Sequence, residues 1–184
     1  MKSKILIVAA LFSIVFSSCK NESETKKTET TEVEEVKANF TAEFDLTSDK
    51  DNVIAIYYTE DGSIAFNDKM VFWSDIKAGA GFQKYVISVP DGTLPKAIRL
   101  DFGTKPGADK ATITLKTLKI TCFNKTIEVK GSDFFNYFAK NEKVETQIDA
   151  AAGTITFKAD LKNKADHFYY PQQLLTDELK KIEI

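Results

Sequence analysis

The chain has 184 residues, of which 43% are hydrophobic and 28% are charged, and its formal net charge is −2. This length fits a single domain. Binding to phosphate backbones requires a surplus of clustered positive charge, so the composition argues against nucleic acid as a partner. The presence of one histidine excludes metal sites built from several histidines, and two cysteines allow at most one disulfide.

The N-terminus has the pattern of an export signal. Two lysines precede an apolar run of twelve residues, 5–16, which is shorter than the about 20 residues that a membrane-spanning helix needs. Two serines then lead directly to Cys19, and the segment 16–19, FSSC, resembles the lipobox of bacterial lipoproteins. The resemblance implies a signal peptide over 1–18 and lipidation of Cys19, with several acyl chains holding the protein firmly in the membrane. The alternative is an ordinary signal peptide in which the cysteine is incidental.

The segment that follows the cysteine predicts a disordered tether over 19–38. Residues 20–37 contain four lysines, six glutamates and no aromatic residue, so the segment has too little apolar surface to offset the entropy of folding. Without the two lysines of the signal, the mature chain has 23 basic and 27 acidic residues and a net charge of −4. We expect the protein to lie in the cell envelope, anchored by lipid at the outer membrane.

From Asn39 onward the sequence has the period of β-strands. Phe40, Ala42, Phe44 and Leu46 alternate with polar residues, which indicates a strand with one buried face. Further runs of strand character cover 53–58, 70–73, 82–89, 97–102, 111–122, 126–129, 143–148 and 154–161. The alternation within 111–122 slips near Thr117, which predicts a bulge.

Two short helices are predicted to close the ends of the core. Ser132 is a candidate N-cap for a helix that carries three phenylalanines on one face, and 173–182 has apolar residues at helical spacing. The strands are short and separated by turns, and they do not alternate with helices. The sequence therefore predicts an all-β fold, an antiparallel β-sandwich of jelly-roll type with two short helices, over 39–184.

The order of these segments carries a second resemblance. FDL is followed by a run ending in Tyr57-Tyr58, a strand with Trp73, LPKAIRLDFG, ITLKTLKI and a closing FYYPQQLLTDELKKI. This order is similar to a β-sandwich module of Bacteroidetes envelope proteins, akin to galactose-binding-like and carbohydrate-binding jelly rolls. The resemblance implies the fold over 39–184 and a connection with glycans, and it transfers no ligand residue to this chain.

No segment of the sequence combines the groups that catalysis needs. Residues 101–103 spell DFG without the other kinase motifs, and no G-x-S-x-G segment is present. Cys122 lies in an apolar strand, where burial makes a thiol unreactive. The acidic clusters 49–52 and 91–93 fit turns better than a structural calcium site. We therefore expect a protein that is not an enzyme, with no cofactor and no catalytic or metal site.

Aromatic residues at strand ends are the candidates for binding. Trp73, Tyr58, Tyr169 and Tyr170 could stack on the apolar face of a sugar while a polar edge stays in water. The alternative is that these rings cap the edges of the core. We expect non-catalytic binding of a glycan or another envelope polymer, and the alternative is a structural or assembly partner of another envelope protein.

Overall fold

A computed structural model describes residues 40–103, 110–159 and 167–182. The predicted signal peptide 1–18, the lipidation site Cys19 and the tether 19–38 lie outside the described residues. Most of the predicted loop 103–109 and the end of the predicted strand 154–161 also lie outside them. Within the described ranges, no helix has the length and apolarity required to cross a membrane.

Two antiparallel sheets and two short helices form the described fold, which confirms the predicted β-sandwich. The six-stranded sheet has the order β4-β1-β6-β9-β8, with β7 also paired to β6, and the four-stranded sheet has the order β10-β5-β2-β3. The elements are β1 (Phe40–Ser48), β2 (Asn52–Thr59), β3 (Val71–Ile76), β4 (Gly79–Val89), β5 (Ala97–Phe102), β6 (Ile113–Cys122), β7 (Lys125–Lys130), α1 (Phe134–Tyr137), β8 (Thr146–Asp149), β9 (Thr154–Phe157), β10 (His167–Tyr169) and α2 (Gln173–Lys180).

The central strand β1 shows how the sequence produces these elements. Every second residue of β1 is buried, beginning with Phe40, and the residues between them are partly exposed, as the period of two predicts. Between β1 and β6, the register shifts where Asp45 faces Thr117 and Leu46 faces Leu115. This irregularity confirms the bulge predicted near Thr117.

The core between the sheets is rich in aromatic rings. Phe102 of the four-stranded sheet stacks on Phe157 of the six-stranded sheet with ring centroids 5.0 Å apart, and Tyr169 lies 4.9 Å from Phe157. Phe134 of α1 contacts Phe157 and Tyr169 at 5.1 and 5.2 Å. The phenylalanines that the sequence placed on one helical face therefore cover one end of the core.

The region before α1 differs from the prediction. The N-cap of α1 is Asp133, and its side chain makes no capping hydrogen bond, so the prediction that Ser132 caps this helix is wrong. The chain first makes a 3-10 turn over Gly131–Asp133. A Cβ at Gly131 would lie 2.1 Å from the carbonyl oxygen of Leu115, and this close approach to β6 fixes the turn where a longer helix would otherwise begin.

Strand β10 lies outside the runs of strand character that the sequence predicts. The strand pairs with β5 through Phe168 opposite Asp101 and Tyr169 opposite Leu100. On its other side, the backbone N–H of Ala139 donates to the carbonyl of Tyr170 at 2.8 Å. A strand of three residues is held by such tertiary pairing, which a local sequence pattern does not reveal.

Candidate functional site

The outer surface of the four-stranded sheet carries an aromatic face. Directly opposed residues on neighbouring strands point to the same side of a sheet. Trp73 opposes Ala55, Ala55 opposes Asp101, and Asp101 opposes Phe168, so these four residues form one row across the sheet. In the next row Tyr57 opposes Arg99. We define the aromatic face as Trp73, Phe168, Tyr170, Tyr57 and Phe66 with the Arg99–Asp101 pair.

The Arg99–Asp101 pair lies at the centre of the aromatic face. The two residues are two positions apart on β5, so both side chains point outward. The Nε and Nη2 atoms of Arg99 donate to the two carboxylate oxygens of Asp101, each at 2.8 Å. The side chains are only 17% and 7% exposed. This bidentate geometry in a largely desolvated position makes a strong and rigid ion pair.

Four aromatic rings surround the guanidinium. Its carbon lies 4.0 Å from the ring centroid of Tyr57 and 5.7–5.8 Å from those of Phe66, Phe168 and Tyr170. Burial opposes the charge on Arg99, but the hydrogen bonds and charge of Asp101, with a hydrogen bond to Tyr170, raise its pKa overall. These rings are thus already occupied by a cation of the chain itself, and they hold their positions through cation–π attraction.

Three rings of the aromatic face are open to solvent. Trp73 is 47% exposed, Phe168 is 38% exposed and Tyr170 is 36% exposed. Tyr57 lies beneath them, with its ring 6.0 Å from that of Trp73. Burial, followed by the negative charges of Asp101 and Asp68, raises the pKa of the Tyr57 hydroxyl. The exposed rings therefore rest on a layer that is itself fixed by the sheet and by the buried ion pair.

Two of the four predicted binding residues lie on this face and two do not. Trp73 and Tyr170 are exposed, whereas Tyr58 and Tyr169 point into the core and are 9% and 0% exposed. Tyr58 stacks on Phe72 at 5.3 Å. Residues two apart on a strand face the same side of the sheet. Tyr58 therefore faces inward with Ile56, and Tyr169 faces inward with His167. They cannot contribute to a surface site.

Sequence reasoning missed five members of the face, namely Tyr57, Phe66, Phe168, Arg99 and Asp101. The signal for Tyr57 was present, because Ile54 and Ile56 fix the inward parity of β2 and leave Tyr57 outward. Phe168 could have been found in the same way once β10 was recognised as a strand. Phe66 lies in a loop, and no period predicts its position against Tyr170 at 5.7 Å.

The acidic residues near position 50 and Cys122 make contacts that belong to the fold. Asp49 accepts a hydrogen bond from the backbone of Thr112 at 2.7 Å, and Asp51 accepts from the backbone of Ala78 at 2.8 Å. Both carboxylates therefore connect the turn after β1 to segments that are distant in the sequence. Cys122 is buried, and burial raises the pKa of its thiol, which disfavours the reactive thiolate.

No protein-family model matches the chain, and comparisons with curated proteins and with solved structures find no similar protein. A functional interpretation has to come from the chemistry of the aromatic face. This face presents flat, solvent-exposed rings over a rigid layer, with carboxylates at its margin. Such a combination suits reversible recognition of a ligand that has both apolar and hydrogen-bonding surfaces.

Proposed function

We propose that this protein is a lipid-anchored component of a bacterial envelope whose sandwich binds a glycan chain, without catalysis, on the aromatic face. The observation that carries the proposal is a set of three exposed rings, those of Trp73, Phe168 and Tyr170, on the same face of the sheet as a buried Arg99–Asp101 pair. Large exposed aromatic clusters contribute little to the stability of a monomer, and they are typical of interaction sites.

Sugar chemistry fits this surface. The C–H-bearing side of a pyranose ring is apolar and packs on a flat aromatic ring, while its hydroxyl groups need acceptors nearby. Trp73 offers the largest ring, and Asp75 lies two residues further along β3 on the same side of the sheet. Because the rings already occupy fixed positions, binding would cost little side-chain entropy.

The proposed anchor at Cys19 is consistent with such a role. A lipidated cysteine followed by a charged tether would hold the sandwich near the membrane, where envelope glycans are abundant. The support is the FSSC segment and the composition of 20–37. A Cys19→Ala variant is expected to leave the membrane fraction and to lose the mass of the acyl chains. Retention of the variant in the membrane fraction would contradict the proposed anchor.

A partner protein is the second candidate for the aromatic face. The observation that favours it is Ile64, which is 65% exposed in the loop that also carries Phe66. An aliphatic side chain offers no flat ring to a sugar, but it is common in contacts between proteins. If a protein is the ligand, Ile64→Ser should weaken capture of that partner. If a glycan is the ligand, the same variant should leave retardation by the glycan unchanged.

Affinity electrophoresis of the full chain in detergent tests the glycan proposal. The gels contain mannan, xylan, dextran or a mixed-linkage β-glucan, and retardation reports binding. Trp73→Ala and Phe168→Ala are expected to reduce retardation by about tenfold in affinity, since a stacked ring contributes about 1 kcal/mol or more. The matched control is Phe82→Ala, because Phe82 is 45% exposed on β4 of the other sheet. Equal effects of Phe168→Ala and Phe82→Ala would contradict the proposal.

A further inference from the structure

We infer from the charges around the aromatic face that its ligand is an uncharged glycan rather than an acidic one. This inference rests on the proposed function and makes it more specific. It depends on three features of the described residues: the number of carboxylates at the face, the occupation of the Arg99 donors, and the position of the nearest lysines.

Carboxylates outnumber the single guanidinium of the face. Asp101 pairs with Arg99, Asp68 lies 3.5 Å from the hydroxyl of Tyr57, and Asp75 is exposed on the same side of β3 as Trp73. The loop 60–70, which brings Phe66 to the face, contains three acidic residues and one lysine. An anionic ligand would therefore meet a surface of the same sign.

Two of the five N–H donors of Arg99 are directed at a carboxylate of the protein. Its Nε and Nη2 atoms donate to Asp101, each at 2.8 Å, and the ring of Tyr170 lies 5.8 Å from the guanidinium carbon. A ligand carboxylate or sulfate could reach this guanidinium only through a side chain that is 17% exposed, and it would share the charge with a carboxylate that is already bidentate. If the ligand drew Arg99 away, Asp101 would stay buried without that partner. The free-energy penalty would be larger than the stabilisation from an exposed ion pair with the ligand.

The lysines nearest in the sequence do not reverse this balance. Lys77 follows β3 directly, but its ammonium lies 2.8 Å from the carboxylate of Asp51. Hydrogen bonding to Asp51 is the main cause that raises the pKa of Lys77. Lys69 is exposed, but it follows Asp68 directly in the loop. Among the described residues, Lys77 and Lys69 therefore add no surplus of positive charge that would offset the desolvation of an acidic polysaccharide.

An uncharged glycan matches the same groups. Its hydroxyls are donors, and Asp75 and Asp68 are acceptors at two sides of the exposed rings. A hydroxyl that donates to a carboxylate forms a charge-assisted bond that needs no counter-ion. Binding should accordingly change little with salt, because no ion pair between ligand and protein is screened.

The test compares uncharged and acidic polysaccharides on the full chain in detergent at 50 mM and 500 mM NaCl. The uncharged set is mannan, xylan, dextran and mixed-linkage β-glucan, and the acidic set is polygalacturonate, alginate and heparin. We expect retardation by at least one uncharged polysaccharide, less than a twofold change between the two salt concentrations, and none by the acidic set. Asp75→Asn, which keeps the shape and removes the charge, should weaken binding by about tenfold. The matched control Asp91→Asn, in the turn after β4, should leave it unchanged.

Three other results are decisive. Preferential binding of an acidic polysaccharide that is lost at 500 mM NaCl and abolished by Trp73→Ala would overturn this inference and leave the proposed function standing. Stronger binding by Asp75→Asn than by the unmodified chain would do the same. The absence of binding to every polysaccharide of both sets, with correct folding shown by circular dichroism, would overturn the proposed function itself.

Discussion

The outer faces of the two sheets obey the same alternation and carry opposite chemistry. On the six-stranded sheet, Glu43 opposes Val86 on one side and Lys119 on the other, and Lys119 opposes Glu128. Lys84 pairs with Glu43 at 2.9 Å, and their side chains are 65% and 32% exposed. On the four-stranded sheet, the corresponding outward positions carry Trp73, Tyr57 and Phe168 around a buried ion pair.

This comparison separates what the fold needs from what a ligand needs. A mostly polar outer face is sufficient to keep a sheet in water, and that of the six-stranded sheet carries threonine, lysine and glutamate with Phe82 and Val86 of β4 also exposed. Nothing in the packing of the sandwich requires rings on the outside of the other sheet, because its inner face already supplies the core. The aromatic face is therefore the part of the described surface that points to function.

The largest difference in the free energy of unfolding is expected between two variants, one that breaks the ion pair at the centre of the aromatic face and one that breaks a surface pair on the six-stranded sheet. Arg99→Met removes the partner of a carboxylate that is 7% exposed and should lower the free energy of unfolding by about 3 kcal/mol. Lys84→Met removes an exposed partner of Glu43 and should leave that free energy unchanged within error. Urea denaturation of both variants in detergent measures the difference. Equal destabilisation would mean that the two faces do not differ in this way.

A smaller difference is expected between substitutions of two neighbouring tyrosines, Tyr169 on the inner side of the four-stranded sheet and Tyr170 on its outer side. Within the described residues, the buried hydroxyl of Tyr169 has no hydrogen-bond partner, so Tyr169→Phe should raise the free energy of unfolding by about 1 kcal/mol. Tyr170 is 36% exposed and its hydroxyl is reached by water, so Tyr170→Phe should not raise the free energy of unfolding. Effects of the same sign would contradict the assignment of the two residues to opposite sides of the sheet.

The smallest expected effect is a loss of stability at alkaline pH. Burial and nearby carboxylates raise the pKa of Tyr57 above its usual value of about 10. The neutral phenol is therefore favoured in the folded state. Its contribution is complete below about pH 10 and is lost as the pH rises through the higher folded value. Tyr57→Phe should flatten the decline of the free energy of unfolding above pH 10. An unchanged slope would show that Tyr57 titrates normally.

Much of the fold could be predicted because its strands repeat with a clear period. The alternation from Phe40 to Leu46 identified β1, and the run 97–102 matched β5 in both of its bounds. Even the bulge near Thr117 left a signal, because a slip in alternation is a local property. The exact start of α1 could not be predicted, since it depends on how closely Gly131 approaches the backbone of β6.

The aromatic face was predictable only in part. The chemistry of Trp73 and Tyr170 suggested binding, and both are exposed. Whether Tyr57 or Tyr58 faces outward depends on which side of β2 is buried, and the neighbouring isoleucines indicate that Tyr58 faces inward. The pairing of Arg99 with four rings from three separate segments has no sequence signature, because it depends on which strands become neighbours in the sheet.

The most direct test of the aromatic face uses its only tryptophan. Trp73 is the single tryptophan of the chain and is 47% exposed, so its fluorescence reports on this face alone. Each uncharged polysaccharide that retards the full chain in affinity electrophoresis is titrated into the unmodified protein and into Phe82→Ala. We expect a saturable change in emission intensity or wavelength, identical for both proteins. Retardation by a polysaccharide that leaves the emission of Trp73 unchanged at saturation would show that the ligand binds elsewhere.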